Sequence, residues 1–273
     1  GYVSGQIRLY SDVYQNEILT LTYTAHSNGA WSSSSNKYLN DVTSLKYVNT
    51  SCFASSSGDQ RIKLWNLLNG NLLETRHVHN KWINNMDVLS DGRIVSGDDN
   101  GVIKLHRSQS DVLTLSQAHG TWFSYVKQIS ANLIATGDYD GNVFVFNLIT
   151  NNRITNFQHG SQIYNIDSIE STNMLTTSKN NENIRFWNPT NGQNYRSIYL
   201  GSGKNCLFAI YFRTGLIAAA MNDRLIRIYD ISSATESLLI TLTGHTNTIR
   251  QLEFVLSLNI LLSIASDSTL RLW

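Results

Sequence analysis

A short pattern that recurs along the whole chain constrains the fold more than any other feature of the sequence. Its clearest copy is SSSGDQRIKLWN, from Ser55 to Asn66. Further copies are SGDDNGVIKLHR (96–107), TGDYDGNVFVFN (136–147), TSKNNENIRFWN (177–188), AAMNDRLIRIYD (219–230) and SIASDSTLRLW (263–273), with a shorter copy, SGQIRLYS, at 4–11. Each copy has a run of small residues, a turn with Asp or Asn, and an alternating run that ends in an aromatic residue or a His. Turn-forming residues between two runs of period two predict a β-hairpin.

The spacing of these hairpins predicts how many strands lie between them. Apart from the short copy at 4–11, the closing residues are 40 to 44 positions apart. They are Trp65, His106, Phe146, Trp187, Tyr229 and Trp273. A period of about 40 to 45 residues with four short strands is the length of one β-propeller blade. Inner strands are predicted near 42–48, 83–88, 123–129, 163–169, 207–212 and 249–255. Since no useful length of the chain has helical spacing, the sequence predicts an all-β fold.

The best single repeat is GHTNTIRQLEF (244–254) followed by SDSTLRLW (266–273). A Gly-His pair opens this unit and a Trp closes it, so the chain resembles the WD40-repeat β-propellers, and the likeness covers residues 5–273. Counting Tyr10 as the first closing residue gives seven third strands, which implies a seven-bladed propeller. The resemblance also implies a single domain over residues 1–273. We expect incomplete terminal blades, because the first shows no inner strands and the last no outer strand.

The first 40 residues are the least regular part of the chain. EILTLTY (17–23) can be an outer strand that leads to His26, but residues 30–35 can also take that role. In the first register, residues 27–40 form an irregular, Ser-rich insertion that is longer than most connections between strands.

The charge balance and the cysteines limit the classes of partner. The 273-residue chain has 21 Lys and Arg against 20 Asp and Glu, a formal charge of +1, which argues against a nucleic-acid partner. Cys52 and Cys206 fall in apolar runs, which is typical of buried cysteines rather than of a disulfide or metal pair. No apolar run approaches about 18 residues, so no membrane span is predicted. We expect an intracellular protein, cytoplasmic or nuclear, without a cofactor, a metal or a small-molecule substrate.

The resemblance implies a set of buried hydrogen bonds. In that family a His before the inner strand, a Ser or Thr on the second strand, an Asp in the turn and the closing Trp form a chain. The matching residues are His79, Ser96 and Asn100 in one unit, His119, Thr136 and Asp140 in the next, and His245, Ser263, Asp267 and Trp273 in the last. In the unit of Asp59 and Trp65, Tyr38 takes the position of the His.

These residue types also occur in catalytic triads. A catalytic site has no reason to recur in several blades, so we interpret the pattern as structural and expect no enzymatic activity. The loop GSGK at 201–204 hints at a phosphate loop, but it lacks the required glycine spacing and a following helix.

The predicted partner site lies at the mouth of the central channel, where propellers present their loops. Aligning each unit on its His, or its equivalent, places Trp82 and Trp122 at the same depth on adjacent blades, with Tyr164, Phe208 and Arg250 one ring further along the inner strands. Large aromatic residues and Arg dominate the energy of many interfaces, although packing between blades would account for either Trp equally well. The leading hypothesis is a non-catalytic scaffold that binds a peptide or a partner loop at this face.

The alternative hypothesis is a structural subunit of a larger assembly, such as a ribosome-biogenesis, trafficking or ciliary complex. Such a subunit would use the sides of its blades and the Ser-rich loop. It should tolerate loss of both Trp side chains and be sensitive to deletion of residues 28–36.

Overall fold

The computed structural model describes residues 6–11, 19–24, 26, 31–32, 37–38, 41–115, 119–170 and 172–273. The chain divides into two compact units, unit 1 (Gly1–Val126) and unit 2 (Lys127–Trp273). Every regular element in the described part of the chain is a β-strand. The all-β prediction is therefore confirmed, whereas a single domain over residues 1–273 stays a prediction.

Unit 1 contains two four-stranded sheets and two short hairpins. Its strands are β1 (Gln6–Ser11), β2 (Leu19–Thr24), β3 (Trp31–Ser32), β4 (Lys37–Tyr38), β5 (Val42–Asn49), β6 (Cys52–Ser57), β7 (Ile62–Asn66), β8 (Leu72–Arg76), β9 (Ile83–Val88), β10 (Ile94–Asp98), β11 (Ile103–His106) and β12 (Val112–Thr114). β1 pairs with β2 and β3 with β4. Sheet 1 has the order β5-β6-β7-β8, and sheet 2 is formed by β9 to β12 in sequence order.

Unit 2 continues the same plan. Its strands are β13 (Phe123–Ser130), which begins in unit 1, β14 (Leu133–Asp138), β15 (Asn142–Asn147), β16 (Arg153–Gln158), β17 (Ile163–Ile169), β18 (Asn173–Ser178), β19 (Asn183–Trp187), β20 (Asn194–Tyr199), β21 (Cys206–Arg213), β22 (Leu216–Met221), β23 (Ile226–Asp230), β24 (Ser237–Leu242), β25 (Ile249–Val255), β26 (Ile260–Ala265) and β27 (Leu270–Leu272). Sheets 3, 4 and 5 are β13–β16, β17–β20 and β21–β24, and sheet 6 has three strands, β25–β27.

The structure has six blades, so the prediction of seven was wrong. Five sheets have four strands and one has three in the described part of the chain. The pattern at 4–11, counted as a third strand, forms β1, which pairs only with β2, from Gln6 opposite Thr24 to Ser11 opposite Leu19. Two paired strands are enough to give this sequence pattern, whereas a blade also needs two inner strands.

The second strands of sheets 1 to 5 are almost entirely buried, and small residues are frequent in them. Every residue of β6 (CFASSS) and of β10 (IVSGD) is buried. At Gly97 in β10, an added Cβ would lie 2.3 Å from the ring of Phe123 on the next inner strand. Glycine is therefore required where one sheet packs closely on the next.

The cores lie between consecutive sheets. Residues of β6 and β7, such as Ala54 and Ile62, pack with Ile83 and Met86 of β9 in unit 1. In unit 2 one cluster joins sheets 4 and 5, and another joins sheets 5 and 6. Each sheet is thus held mainly by its neighbours, as expected for a repeat architecture.

Candidate functional site

Each sheet has two ends, and the histidines lie at one of them. Because the strands follow one another antiparallel, the turn between the second and third strands lies at the same end as the connection to the next sheet. We call this the histidine end. A main-chain N–H of this turn donates to the carbonyl of the residue just before the inner strand. These pairs include Asp99 N to Trp82 O (3.0 Å), Lys179 N to Gln162 O (2.8 Å) and Ser266 N to Thr248 O (2.8 Å).

Sheet 1 carries a buried network centred on His26. Its Nδ1 lies 2.7 Å from Asp59 Oδ2, and its Nε2 lies 2.9 Å from Ser55 Oγ. Trp65 Nε1 donates to the same Ser55 oxygen at 2.8 Å. The His of this unit is therefore His26, and Tyr38, which the sequence analysis placed there, lies in β4 instead.

The Ser-rich insertion explains why His26 escaped the alignment. Elsewhere the inner strand begins four positions after the His, as with His79 and Ile83, but Val42 begins β5 16 positions after His26. β3 and β4 lie in this interval, and the rest of the predicted insertion at 27–40 lies outside the described residues. The insertion therefore leaves from the histidine end of sheet 1.

The donors in this network fix the direction of its hydrogen bonds. An indole N–H can only donate, so Ser55 accepts from Trp65 and its own proton is available for His26 Nε2. The Nδ1–H of His26 then donates to Asp59. The imidazole thus pairs with both a carboxylate and a hydroxyl in a site where an unpaired polar group would be costly.

Sheet 2 has a related network with a His in place of the closing Trp. His79 Nδ1 lies 2.9 Å from Asp98 Oδ2, and its Nε2 lies 2.8 Å from Ser96 Oγ. His106 Nε2 is 3.3 Å from the same Ser96 oxygen, and His106 Nδ1 is 3.3 Å from Nη1 of the buried Arg76. Burial and the charge of Arg76 lower the pKa of His106 to about 3. His106 is therefore neutral near pH 7 and can accept a hydrogen bond from the guanidinium.

The acidic partner of His79 is Asp98 and not Asn100, so this part of the sequence assignment needs correction. Asp98 ends β10, and its Oδ1 accepts the main-chain N–H groups of Asn100 (2.9 Å) and Val102 (3.1 Å). The prediction placed the acceptor four residues after Ser96, by analogy with sheet 1. A carboxylate two residues after the Ser already reaches the His ring.

Sheet 3 shows the same shift of two positions. Asp138 is fully buried, whereas Asp140 is exposed and donates its main-chain N–H to Asp138 Oδ1 at 2.9 Å. His119 and Thr136 are both buried, and Thr136 Oγ1 donates to Phe144 O at 3.3 Å. The buried carboxylate of this turn is thus Asp138 rather than the predicted Asp140.

Sheet 6 brings its four predicted residues together. His245 Nδ1 is 2.9 Å from Asp267 Oδ2, His245 Nε2 is 2.6 Å from Ser263 Oγ, and Trp273 Nε1 donates to Ser263 at 2.9 Å. Hydrogen bonds to Asp267, led by the one from the Thr269 hydroxyl, hold the pKa of its carboxyl well below the usual range. Asp267 is therefore ionised and accepts a hydrogen bond from His245.

The predicted partner-binding residues divide into buried and exposed ones. Trp82 is only 6% exposed, whereas Trp122 is 46% exposed, so the two rings do not form one open surface. Tyr164 is half-buried, and Phe208 packs against the cluster between sheets 5 and 6. Arg250 is exposed, and its Nε donates to Ser266 Oγ at 2.7 Å.

Sequence reasoning missed several residues of the histidine ends. These are His26, Asp98 and Asp138 among the buried residues, and the exposed cations Lys179, Lys204 and Arg224 at the surface. The cations could have been found by marking every charge in a turn between second and third strands or in a connection between sheets.

Neither a metal-binding cluster nor a membrane-spanning helix occurs among the described residues. No group of three His, Cys, Asp or Glu side chains there is placed to hold a metal ion. Across the same residues, no helix has the length and apolar character needed to cross a membrane.

Consecutive antiparallel sheets with cores between neighbouring sheets, several of them with a buried His-centred network, define a β-propeller. The profile of the family described as "WD domain, G-beta repeat" matches residues 17–66, 70–107 and 236–273. The first match contains His26 together with Trp65. These segments therefore carry WD40 repeats, as the resemblance implied.

Curated relatives share the repeats but are longer proteins. Protein SPA1-RELATED 3 of Arabidopsis thaliana is 25% identical over 154 residues, which is 56% of this chain and 18% of that protein. The WD repeat-containing protein 89 homolog of Dictyostelium discoideum is 43% identical over 58 residues, 21% of this chain and 16% of that protein. Target of rapamycin complex subunit wat1 of Schizosaccharomyces pombe (strain 972 / ATCC 24843) is 29% identical over 100 residues, 37% of this chain and 32% of that protein. The matched part thus spans less than a fifth of the first two of these relatives.

Proposed function

We propose that this protein is a non-catalytic interaction scaffold that holds a peptide or a partner loop at the histidine end of its blades, with Trp122 as the main anchor. The observation that carries the proposal is the exposure of Trp122 beside a fully buried neighbour, Phe123. An exposed indole fixed to a packed strand can enter a partner's pocket with little loss of conformational freedom.

The size of the exposed surface sets the expected contribution of Trp122. The 46% exposed part is on the order of 100 Å² of mostly apolar surface. At about 25 cal/mol per Å², a partner that covered all of it would gain about 2.5 kcal/mol. Removal of the ring should therefore weaken binding about 50- to 100-fold.

The burial of the Ser–His–Asp sets supports a non-catalytic role. Ser55, Ser96 and Ser263 are all fully buried. A nucleophile must reach its substrate, and these hydroxyl groups are enclosed between sheets. The same arrangement recurs in separate blades, which suits a structural role.

The proposal is tested with Trp122→Ala, compared with Trp82→Ala and Leu68→Ala. Leu68 is highly exposed and lies in the loop after β7, at the opposite end of its sheet, so it is the matched surface control. Partners are captured from cells on the tagged wild type and on each variant, and they are quantified by mass spectrometry beside thermal unfolding. We expect Trp122→Ala to lose partners at an unchanged melting temperature, Leu68→Ala to keep them, and Trp82→Ala to lower the melting temperature.

A capture pattern that is the same for Trp122→Ala and Leu68→Ala would contradict this site. A large drop in the melting temperature of Trp122→Ala would also contradict it, because the ring would then serve packing.

A second candidate is a structural subunit that binds through the outer strands and the Ser-rich insertion. The relative from Schizosaccharomyces pombe is named as a complex subunit, which favours this alternative. In this chain, Leu238, Leu239 and Ile240 on the outer strand β24 are each about half exposed. On this alternative, Leu239→Lys or deletion of residues 28–36 should remove partners, and Trp122→Ala should not.

A further inference from the structure

Four exposed cations lie at the histidine ends of unit 2. Lys179 and Arg224 are in turns between second and third strands, Lys204 is in the connection from sheet 4 to sheet 5, and Arg250 follows the first residue of β25. None of the four forms an ion pair within the part of the chain that the structure describes. Their charges are therefore available to a partner.

Contacts between neighbouring loops join these cations into one surface. Arg224 Nη1 donates to Thr246 O at 3.3 Å, which brings it to the loop that leads into β25 and Arg250. Burial raises the pKa of Tyr164 on β17, and the nearby charge of Arg250 opposes that rise. Arg250 thus lies close to sheet 4 as well as in sheet 6.

Lys204 and Lys179 complete this surface on either side. Burial acts to raise the pKa of Asp223, but hydrogen bonds from Arg227 and the charges of Arg227 and Lys204 bring it below its usual value. Lys204 therefore lies near the turn of Arg224. Lys179 follows Ser178, which is paired with Ile163 beside Tyr164.

The carboxylates on this surface already have internal partners. Asp223 receives both guanidinium nitrogens of Arg227, at 3.1 and 2.7 Å. Asp267 accepts from His245 and from the main chain of Thr246. Glu182 Oε1 accepts the N–H of Gly203. Among these acids, only Asp223 is neutralised by a cation; Asp267 and Glu182 keep their negative charges, so the four cations leave a net positive charge on this surface.

The Glu182 contact also indicates what this surface recognises. The loop Gly201–Lys204 has positive φ angles at Gly201 and Gly203 (98° and 71°), and it presents the Gly203 N–H to a carboxylate. Tight turns of this kind place main-chain N–H groups toward anions. A side-chain carboxylate is thus already bound here within the chain.

We propose that the histidine end of unit 2 binds an acidic segment of a partner protein, rich in Asp and Glu, through Lys179, Lys204, Arg224 and Arg250. This inference deepens the proposed scaffold function and rests on it. A protein segment fits better than a nucleic acid, because the patch is compact and the whole chain has a formal charge of only +1. Arg side chains suit the planar carboxylate group, which they can grip with two hydrogen bonds.

The test uses a fluorescent peptide of alternating Glu and Gly residues, with a peptide of alternating Gln and Gly as the neutral reference. Fluorescence anisotropy is measured with the full chain at low and at high salt. We expect the Glu peptide to bind, the Gln peptide not to bind, and the affinity to fall steeply with salt because exposed charges are screened. The double variant Arg224→Gln with Arg250→Gln should lose about tenfold or more in affinity.

The matched control is the double variant Arg153→Gln with Arg213→Gln. These two guanidiniums lie at the opposite ends of sheets 3 and 5, where they stand over Phe144 and Phe254, so the loss of charge is the same. An equal loss of affinity in both double variants would overturn the inference, since binding would then follow net charge alone.

Two other anionic probes separate the sources of negative charge. A single-stranded DNA oligonucleotide or phosphatidylserine vesicles that bind more tightly than the Glu peptide would overturn the assignment to an acidic protein segment. If the Glu peptide fails to bind while partner capture still depends on Trp122, this inference fails and the scaffold proposal stands. Failure of Trp122-dependent capture would instead remove the proposed function.

Discussion

Replacing His26 with Ala should destabilise sheet 1 strongly, because this side chain is the centre of a buried network that joins three parts of the chain. His26 is fully buried, Ser55 is in the second strand, and Asp59 is in the turn that follows. The substitution leaves the Ser55 hydroxyl without its acceptor and the Asp59 carboxylate without its imidazole donor. The two partners lie 29 and 33 residues from His26 in sequence, so their loss acts on tertiary structure rather than on a local turn.

The magnitude follows from the partners that remain. Leaving one buried polar group without a partner costs about 1 to 3 kcal/mol, which gives about 2 to 6 kcal/mol for two groups. Ser55 still accepts from Trp65, and Asp59 still accepts the N–H of Arg61 at 3.0 Å. The loss in the free energy of unfolding should therefore lie in the lower half of this range, at about 2 to 4 kcal/mol, including the effect of the small cavity left by the ring.

The assay is urea unfolding, with hydrogen exchange of the β6 and β7 amides to detect opening of sheet 1 alone. The control His77→Ala changes an exposed side chain and should stay within about 0.5 kcal/mol of the wild type. Trp65→Phe removes the indole donor together with part of a buried ring, so it should cost more than about 1 kcal/mol. If His26→Ala is no more destabilising than His77→Ala, the network assigned to His26 is refuted and the place of the His in this unit is open again.

Two further predictions concern sheet 2. Replacing His106 with Trp should make the free energy of unfolding fall less steeply on acidification. The pKa of His106 is lowered to about 3 in the fold, against about 6.5 in the unfolded chain, so its neutral form stabilises the fold above the unfolded pKa. As the pH falls toward 3, the wild type loses this contribution by up to about 1.4 kcal/mol per pH unit. Urea titrations from pH 7 to pH 4 would show this, and equal slopes for both proteins would contradict it. Gly97→Ala should cost about 1 to 3 kcal/mol, because its Cβ would meet the Phe123 ring at 2.3 Å, whereas Gly120→Ala, with no atom within 4 Å, should be close to neutral. Thermal melts compare the two, and equal shifts would count against close packing at Gly97.

The fold was predictable because the signal repeats. A single degenerate hairpin such as SGDDNGVIKLHR predicts little, but closing residues 40 to 44 positions apart predict the same four-stranded unit each time. The predicted number of blades was wrong because of β1, where the repeat is not complete. At the start of the chain only the hairpin pattern was visible, and a pattern for two strands cannot show whether two more accompany them.

The site was harder to predict, because which carboxylate meets the His ring depends on distance in the fold rather than on spacing in the sequence. Asp98 and Asp59 each pair with Nδ1 of a His ring, although Asp98 comes two residues after its Ser and Asp59 comes four residues after its Ser. Burial was the other unknown: Trp82 and Trp122 occupy equivalent sequence positions, yet only the second is exposed. The sequence pattern does not contain that difference.

The buried networks and the proposed binding residues depend on each other physically. Trp122 is followed by Phe123, and Arg250 is preceded by Ile249, and both of these apolar neighbours are almost fully buried. Each proposed recognition residue is thus attached to a strand whose position is fixed by the core. Such residues can be exchanged with little effect on folding, and they reach a partner already ordered, which reduces the entropy lost on binding. A family of scaffolds can therefore change partners through single positions at the histidine end, provided that networks such as that of His26 keep the strands in place.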